Sequence, residues 1–135
     1  MSSVSTHVLD SALGRPAAGV PVRLEYLGNG TAARGNGAAA GTSAAGSSAA
    51  AGNRAPSQIA AAVTDGDGRV GELGPGGLRP GTYRVTFDTA AYFARSGQRA
   101  FYPEVAVSFL IEPAGGHYHV PLVLSPFAYA TYRGT

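Results

Sequence analysis

The sequence predicts an all-β protein, an antiparallel β-sandwich with one short accessory helix. Three observations carry that reading. Four segments alternate apolar and polar residues with period two, the mark of a strand with one buried face. They are separated by clusters of Gly, Pro and Asp, which favour turns. Only one stretch, near Thr89, has the composition and end signals of a helix.

Along the chain, Val4-Ser5-Thr6-His7-Val8-Leu9-Asp10 is a short strand pattern carrying a histidine. Val20, Val22, Leu24 and Tyr26 then face one way, and Pro21, Arg23 and Glu25 the other. Asp65-Gly66-Asp67-Gly68 is a turn ahead of Arg69 and Val70, because glycine accepts the positive φ such turns need. Tyr83, Val85 and Phe87 alternate with Arg84, Thr86 and Asp88. A helix is expected from Thr89 to Ser96, with Thr89 as its cap, Ala90, Ala91 and Ala94 favouring it, and Gly97 ending it. Val105, Val107, Phe109 and Ile111 form a third apolar face, and Tyr118, Val120, Leu122 and Leu124 a fourth.

Gly28 to Pro56 differs from the rest, being almost wholly Gly, Ala, Ser, Asn and Thr, with Arg34 and Arg54 its only charges. Such a segment has little apolar surface to offset the entropy of ordering it, so 28–56 is expected to be a flexible loop insertion between two strands. A tolerated insertion is the plainer reading of it, a functional lid the sharper one.

The length of 135 residues fits one domain over 1–135, large enough to bury its own core. With no cysteine there is no disulfide framework, thiol nucleophile or thiolate metal site. No Lys/Arg-led apolar segment opens the chain, and no apolar run approaches the ~20 residues of a membrane helix. A soluble, cytoplasmic protein is expected. All ten basic residues are arginines spread along the chain, and the net charge is only +2, which argues against a nucleic-acid face.

His117 and His119 lie two apart, so they share the face of their strand opposite Tyr118, Val120, Leu122 and Leu124. Surface histidines are the plain reading of such a pair. His-x-His is also a metal-ligand spacing, and His7 can be drawn as a third ligand. Asp10 and Glu112 are the only acidic residues near either histidine segment, so a required metal is not expected. Spacing alone does not bring Arg69 to these histidines. The chain closes on an apolar, aromatic run, Leu122 to Ala130, followed by Tyr132-Arg133-Gly134-Thr135, an end that reads as placed rather than frayed. Nucleophile elbows, phosphate-binding glycine loops and paired-carboxylate motifs do not occur.

Four segments together resemble the 5-hydroxyisourate hydrolase family of transthyretin-related proteins. They are Ser5 to Ala17 running on to Gly19-Val20-Pro21-Val22, Thr64 to Arg69, Phe101 to Val105, and His117 to Phe127 closing on Tyr132-Arg133-Gly134-Thr135. The resemblance covers nearly everything outside Gly28 to Pro56. It separates the enzymes from the hormone carrier transthyretin, which has lysine, glutamate and threonine where this chain has His7, Arg69 and His119. It implies a two-sheet sandwich of about eight strands, assembled as a homotetramer of paired dimers, with active sites in a central channel shared between subunits. Two features depart from the family pattern: Thr135 stands where serine is usual, and the long Gly/Ala/Ser segment leaves the pairing of Gln58 to Val63 open.

The implied reaction is hydrolysis of 5-hydroxyisourate to 2-oxo-4-hydroxy-4-carboxy-5-ureidoimidazoline (OHCU), with no cofactor. His7, Arg69, His119 and Thr135 match the catalytic positions. His7, Arg69, Tyr132, Arg133, Gly134 and Thr135 match those that bind substrate, with His117 outside that first ring of contacts. A positioned water, a base and compensation for charge on oxygen suffice for an activated cyclic amide. His119 is assigned the base role with His7 orienting water or ligand, and Arg69 the oxyanion. The alternative is a non-catalytic carrier of a small aromatic ligand.

Overall fold

A computed structural model describes residues 2–29 and 56–135. The expected loop insertion at 28–56 therefore lies almost entirely outside the described residues. Two sheets face each other. The first holds β1 (Ser2–Asp10), β2 (Arg15–Pro16), β5 (Arg69–Val70), β8 (Gly116–Ser125) and β9 (Ala128–Thr131). The second runs in the order β4 (Ser57–Val63), β3 (Pro21–Gly28), β6 (Gly81–Phe87), β7 (Val105–Ile111). The Ser57–Val63 segment pairs antiparallel with β3, with one irregularity at Leu24/Glu25, which settles the pairing that the sequence leaves open.

Among the described residues, the pairings are antiparallel except one. β1 runs parallel to β8 over nine partnered positions, from Ser2 opposite Gly116 to Asp10 opposite Leu124. Local alternation cannot reveal this, because the period-two signal is the same in either direction. The consequence is functional: the parallel register sets Ser3 beside His117 and Ser5 beside His119.

The four alternating faces form the core as expected. Leu24, Val85, Phe87 and Leu122 are fully buried, with Val4 and Val8 from β1 and Tyr118 and Leu124 from β8 packed among them. Removing each such side chain from water stabilises the sandwich by about 1.5–3 kcal/mol. Among the described residues, no helix is long and apolar enough to cross a membrane.

The helix α1 spans Thr89–Ala94, shorter than the expected Thr89 to Ser96, and its cap is Asp88 rather than Thr89. The Asp88 carboxylate accepts from the Ala91 N–H at 3.0 Å. Thr89 is buried, and its hydroxyl donates to the Tyr102 carbonyl. Strand β6 ends at Phe87, which frees Asp88 for the capping position one residue earlier than read. Gly97, at φ 70°, closes the helix together with the bond from Gln98 N–H to the Phe93 carbonyl. Phe93 drives the helix into the core, and the Tyr92 hydroxyl donates to Asp10 at 2.7 Å. Burial, then that bond to Asp10, pushes the Tyr92 phenol up to about 12.

Candidate active site

The site is built on β1, β5 and β8, at the face of the first sheet turned away from the core. Along β1, Val4, Thr6, Val8 and Asp10 point inward and are buried, so Ser3, Ser5, His7 and Leu9 point outward. On β8, the outward set is His117, His119, Pro121 and Val123, as the alternation predicts. Asp10 is thereby excluded from any role beside the histidines. Its carboxylate accepts from the Ala12 and Leu13 N–H groups and from Tyr92.

Arg69 reaches the site through the turn. Asp65 Oδ1 accepts from the Asp67 N–H at 2.9 Å and the Arg69 N–H at 3.0 Å, which holds the Asp65 carboxyl below the usual carboxylate range. Gly68 has φ 76°, and a Cβ there would lie 2.4 Å from the Val8 carbonyl oxygen. Only glycine lets this turn lie so close to β1. The Val8 N–H then donates to the Gly68 carbonyl at 2.7 Å, and Arg69 falls directly opposite His7 in the ladder. A juxtaposition that spacing does not supply comes from this short pairing.

A cavity of about 250 Å³ opens here, with Arg69, His117, His119 and Thr135 in its wall beside Ser5, Thr6, Val70 and Gly71. His119 is half-buried and His117 exposed. The His119 imidazole is held below its ordinary value, first by burial and then by the positive potential of Arg69, His7 and His117. A lowered value favours the neutral form of the ring at neutral pH. Ser5 Oγ stands 2.8 Å from His119 Nδ1, which leaves Nε2 as the ring nitrogen available to a ligand.

The closing tetrapeptide divides. The Gly134 N–H donates to the His119 carbonyl at 2.9 Å, forming a bridge that pins the end of the chain to β8. A Cβ on Gly134 would sit 2.5 Å from His119 Cδ2, so glycine here makes room for the imidazole itself. Thr135 borders the histidine cavity. Arg133 turns elsewhere, its guanidinium 4.5 Å over the Tyr118 ring. With Tyr132 it lines a second, mainly apolar cavity of about 300 Å³ beside Val107, Phe109 and Leu110.

Of the sequence-derived candidates, then, the single chain gathers Arg69, His117, His119 and Thr135 around one cavity, with His7 on the adjoining ladder position and Gly134 behind the His119 ring. Tyr132 and Arg133 line the other cavity, which His119 also borders. Among the described residues, no group of three His, Asp or Glu side chains is arranged to hold a metal ion. Sequence reasoning missed Ser3 and Ser5. Their signal was the period-two spacing from His7, readable only once β1 is known to lie beside β8.

An open sandwich with a His/Arg cavity built on its first strand, a tight Asp-Gly turn and a His-x-His strand defines a class, and residues 4–134 match that class as the HIUase/Transthyretin family. The chain belongs to this family. It is 38% identical to a mouse protein named 5-hydroxyisourate hydrolase, over 99% of this chain and 96% of the mouse one. The solved Klebsiella pneumoniae 5-hydroxyisourate hydrolase superposes with a TM-score of 0.73 at 30% identity, over 99% of this chain and all of the other. Sea bream transthyretin, solved in complex with thyroxine, superposes with a TM-score of 0.76 at 28% identity, over 98% and 95% of the two chains.

Proposed function

We propose that the protein hydrolyses 5-hydroxyisourate, an intermediate of urate degradation, to OHCU. The observation that carries the reading is the pairing of a neutral, half-buried His119, its Nε2 unengaged, with the Arg69 guanidinium on the wall of one cavity. The names of the mouse and Klebsiella relatives supply the substrate.

Water attacks a ring carbonyl of the substrate and His119 Nε2 takes its proton. Arg69, which cannot serve as a base, binds the planar urate-like oxygens and offsets the charge developing on the carbonyl oxygen. Collapse of the tetrahedral adduct breaks the ring C–N bond, and the proton held on His119 passes to the departing nitrogen. His7, opposite Arg69, orients water or ligand. Thr135 supplies a hydroxyl at the cavity edge. No covalent enzyme intermediate is required for so activated an amide.

The reading extends to assembly as a homotetramer, a pair of dimers. It is supported by the exposure of Leu110 and Tyr132 beside the unpaired edges of β7 and β9, and by the openness of the histidine face on a single chain. In such an assembly Tyr132 and Arg133 act on substrate from where they stand in the tetramer.

The second reading is a carrier of a small aromatic ligand, favoured by the likeness to thyroxine-bound sea bream transthyretin. His119→Asn and Arg69→Gln, assayed on freshly generated 5-hydroxyisourate by its spectroscopic decay, separate the two. Losses of about 10²–10⁴-fold for the base and about 10²–10³-fold for the oxyanion partner are expected. Undiminished turnover in folded variants would sink the mechanism.

A further inference from the structure

Four outward side chains of β1 and β8 form one hydrogen-bonded chain. Ser3 Oγ lies 2.7 Å from His117 Nδ1, His117 Nε2 lies 2.8 Å from Ser5 Oγ, and Ser5 Oγ lies 2.8 Å from His119 Nδ1. Ser5 is buried, with 7% of its surface exposed. Its hydroxyl carries a single proton, yet it meets a ring nitrogen on each side. Both rings could donate only if the Ser5 proton went elsewhere, and among the described residues this buried hydroxyl has no other side-chain partner, so one ring donates to Ser5 while the other accepts from it. The tautomers of His117 and His119 are coupled through that proton.

Two directions satisfy the chain. In one, His119 Nδ1–H donates to Ser5, Ser5 donates to His117 Nε2, and His117 Nδ1–H donates to Ser3, so His119 Nε2 presents a lone pair. In the other, every bond reverses and His119 Nε2 carries the proton. Arg69 shares the cavity wall with His119. Its fixed positive charge favours a lone pair over an N–H dipole pointing into the same space. The first direction also ends at the partly exposed Ser3, whose remaining proton is free to reach solvent.

We propose that Ser5, oriented by His117 and Ser3, is a positioning residue that fixes His119 in its Nδ1–H tautomer and so keeps Nε2 unprotonated toward the cavity. This rests on the hydrolase reading for its consequence, but not for its structural content. An isolated neutral imidazole prefers the Nε2–H form, the wrong one for a base at Nε2. Ser5 reverses that preference. His117 gains a purpose by this route: its Nε2 accepts the Ser5 proton and so keeps the hydroxyl aimed away from His119.

The test is ¹⁵N NMR of the histidine rings in wild-type, Ser5→Ala and Ser5→Thr protein above pH 7, paired with kcat and KM for 5-hydroxyisourate. Wild type is expected to show His119 protonated on Nδ1. Ser5→Ala is expected to move it toward the Nε2–H form and lower kcat about tenfold with KM within about twofold, while Ser5→Thr, which keeps the hydroxyl, restores both. A wild-type His119 already in the Nε2–H form, or a Ser5→Ala protein with unchanged ring signals, would overturn the proposal. A wild-type protein that fails to accelerate substrate decay would instead remove the hydrolase reading, and the ring signals would still decide the tautomer.

Discussion

At the scale of the residue, the proposed mechanism depends on keeping one imidazole neutral next to a permanent cation. Burial and the charges of Arg69, His7 and His117 all lower the proton affinity of His119. A base must be unprotonated to act, so the acid limb of the pH dependence of kcat/KM is expected below pH 6.5, and activity falls as pH drops through it. Arg69→Gln removes one of the named charges, so in that variant the residual activity is expected to show its limb nearer 6.5, and a limb that stays in place would contradict the assignment of His119. The residues themselves were largely legible in the sequence. Alternation alone puts His117 and His119 on the outward face, whereas His7, Arg69 and Thr135 enter only as matches to the family's active-site positions. Ser5 was not legible, because its meaning depends on which strand lies beside β1, and a serine in an alternating strand carries no mark of its neighbour.

At the scale of the element, three local devices position the chemistry. The Asp65–Gly68 turn swings Arg69 against His7, the parallel register of β1 and β8 aligns the serines with the histidines, and the terminal bridge lays Gly134 over His119. The turn was readable from its Asp-Gly-Asp-Gly composition; its landing place on β1 was not, since register between distant segments has no local code. The helix was found but its cap misplaced, because Asp88 served equally well as an outward strand residue until the strand was seen to stop at Phe87. The terminal bridge yields a sharp expectation. A methyl on Gly134 would meet His119 Cδ2 at 2.5 Å, so Gly134→Ala must displace the ring or the end of the chain. Activity is expected to fall at least about tenfold, since misplacement of a catalytic group by an ångström is that costly. Stability, measured by thermal unfolding, is expected to change by only about 1 kcal/mol at this peripheral position. Equal damage to both would argue that the bridge serves folding alone.

At the scale of the whole molecule, one sandwich is shared by a 5-hydroxyisourate hydrolase and by a transthyretin solved with thyroxine, so the fold does not decide the function. The alternating faces, the turns and the single helix made the sandwich legible, and its core follows the four predicted apolar faces closely. The parallel β1–β8 pair is not legible in the sequence because direction leaves no periodic trace. Nor does sequence adjacency show that Tyr132 and Arg133 line one cavity and Thr135 another, with His119 bordering both. What separates an enzyme from a carrier is turnover. Purified protein at a concentration far below that of freshly generated 5-hydroxyisourate is the most direct measurement. Complete conversion to OHCU is expected, at a rate proportional to protein and well above spontaneous decay; decay at the spontaneous rate, with at most one ligand sequestered per site, would contradict hydrolysis.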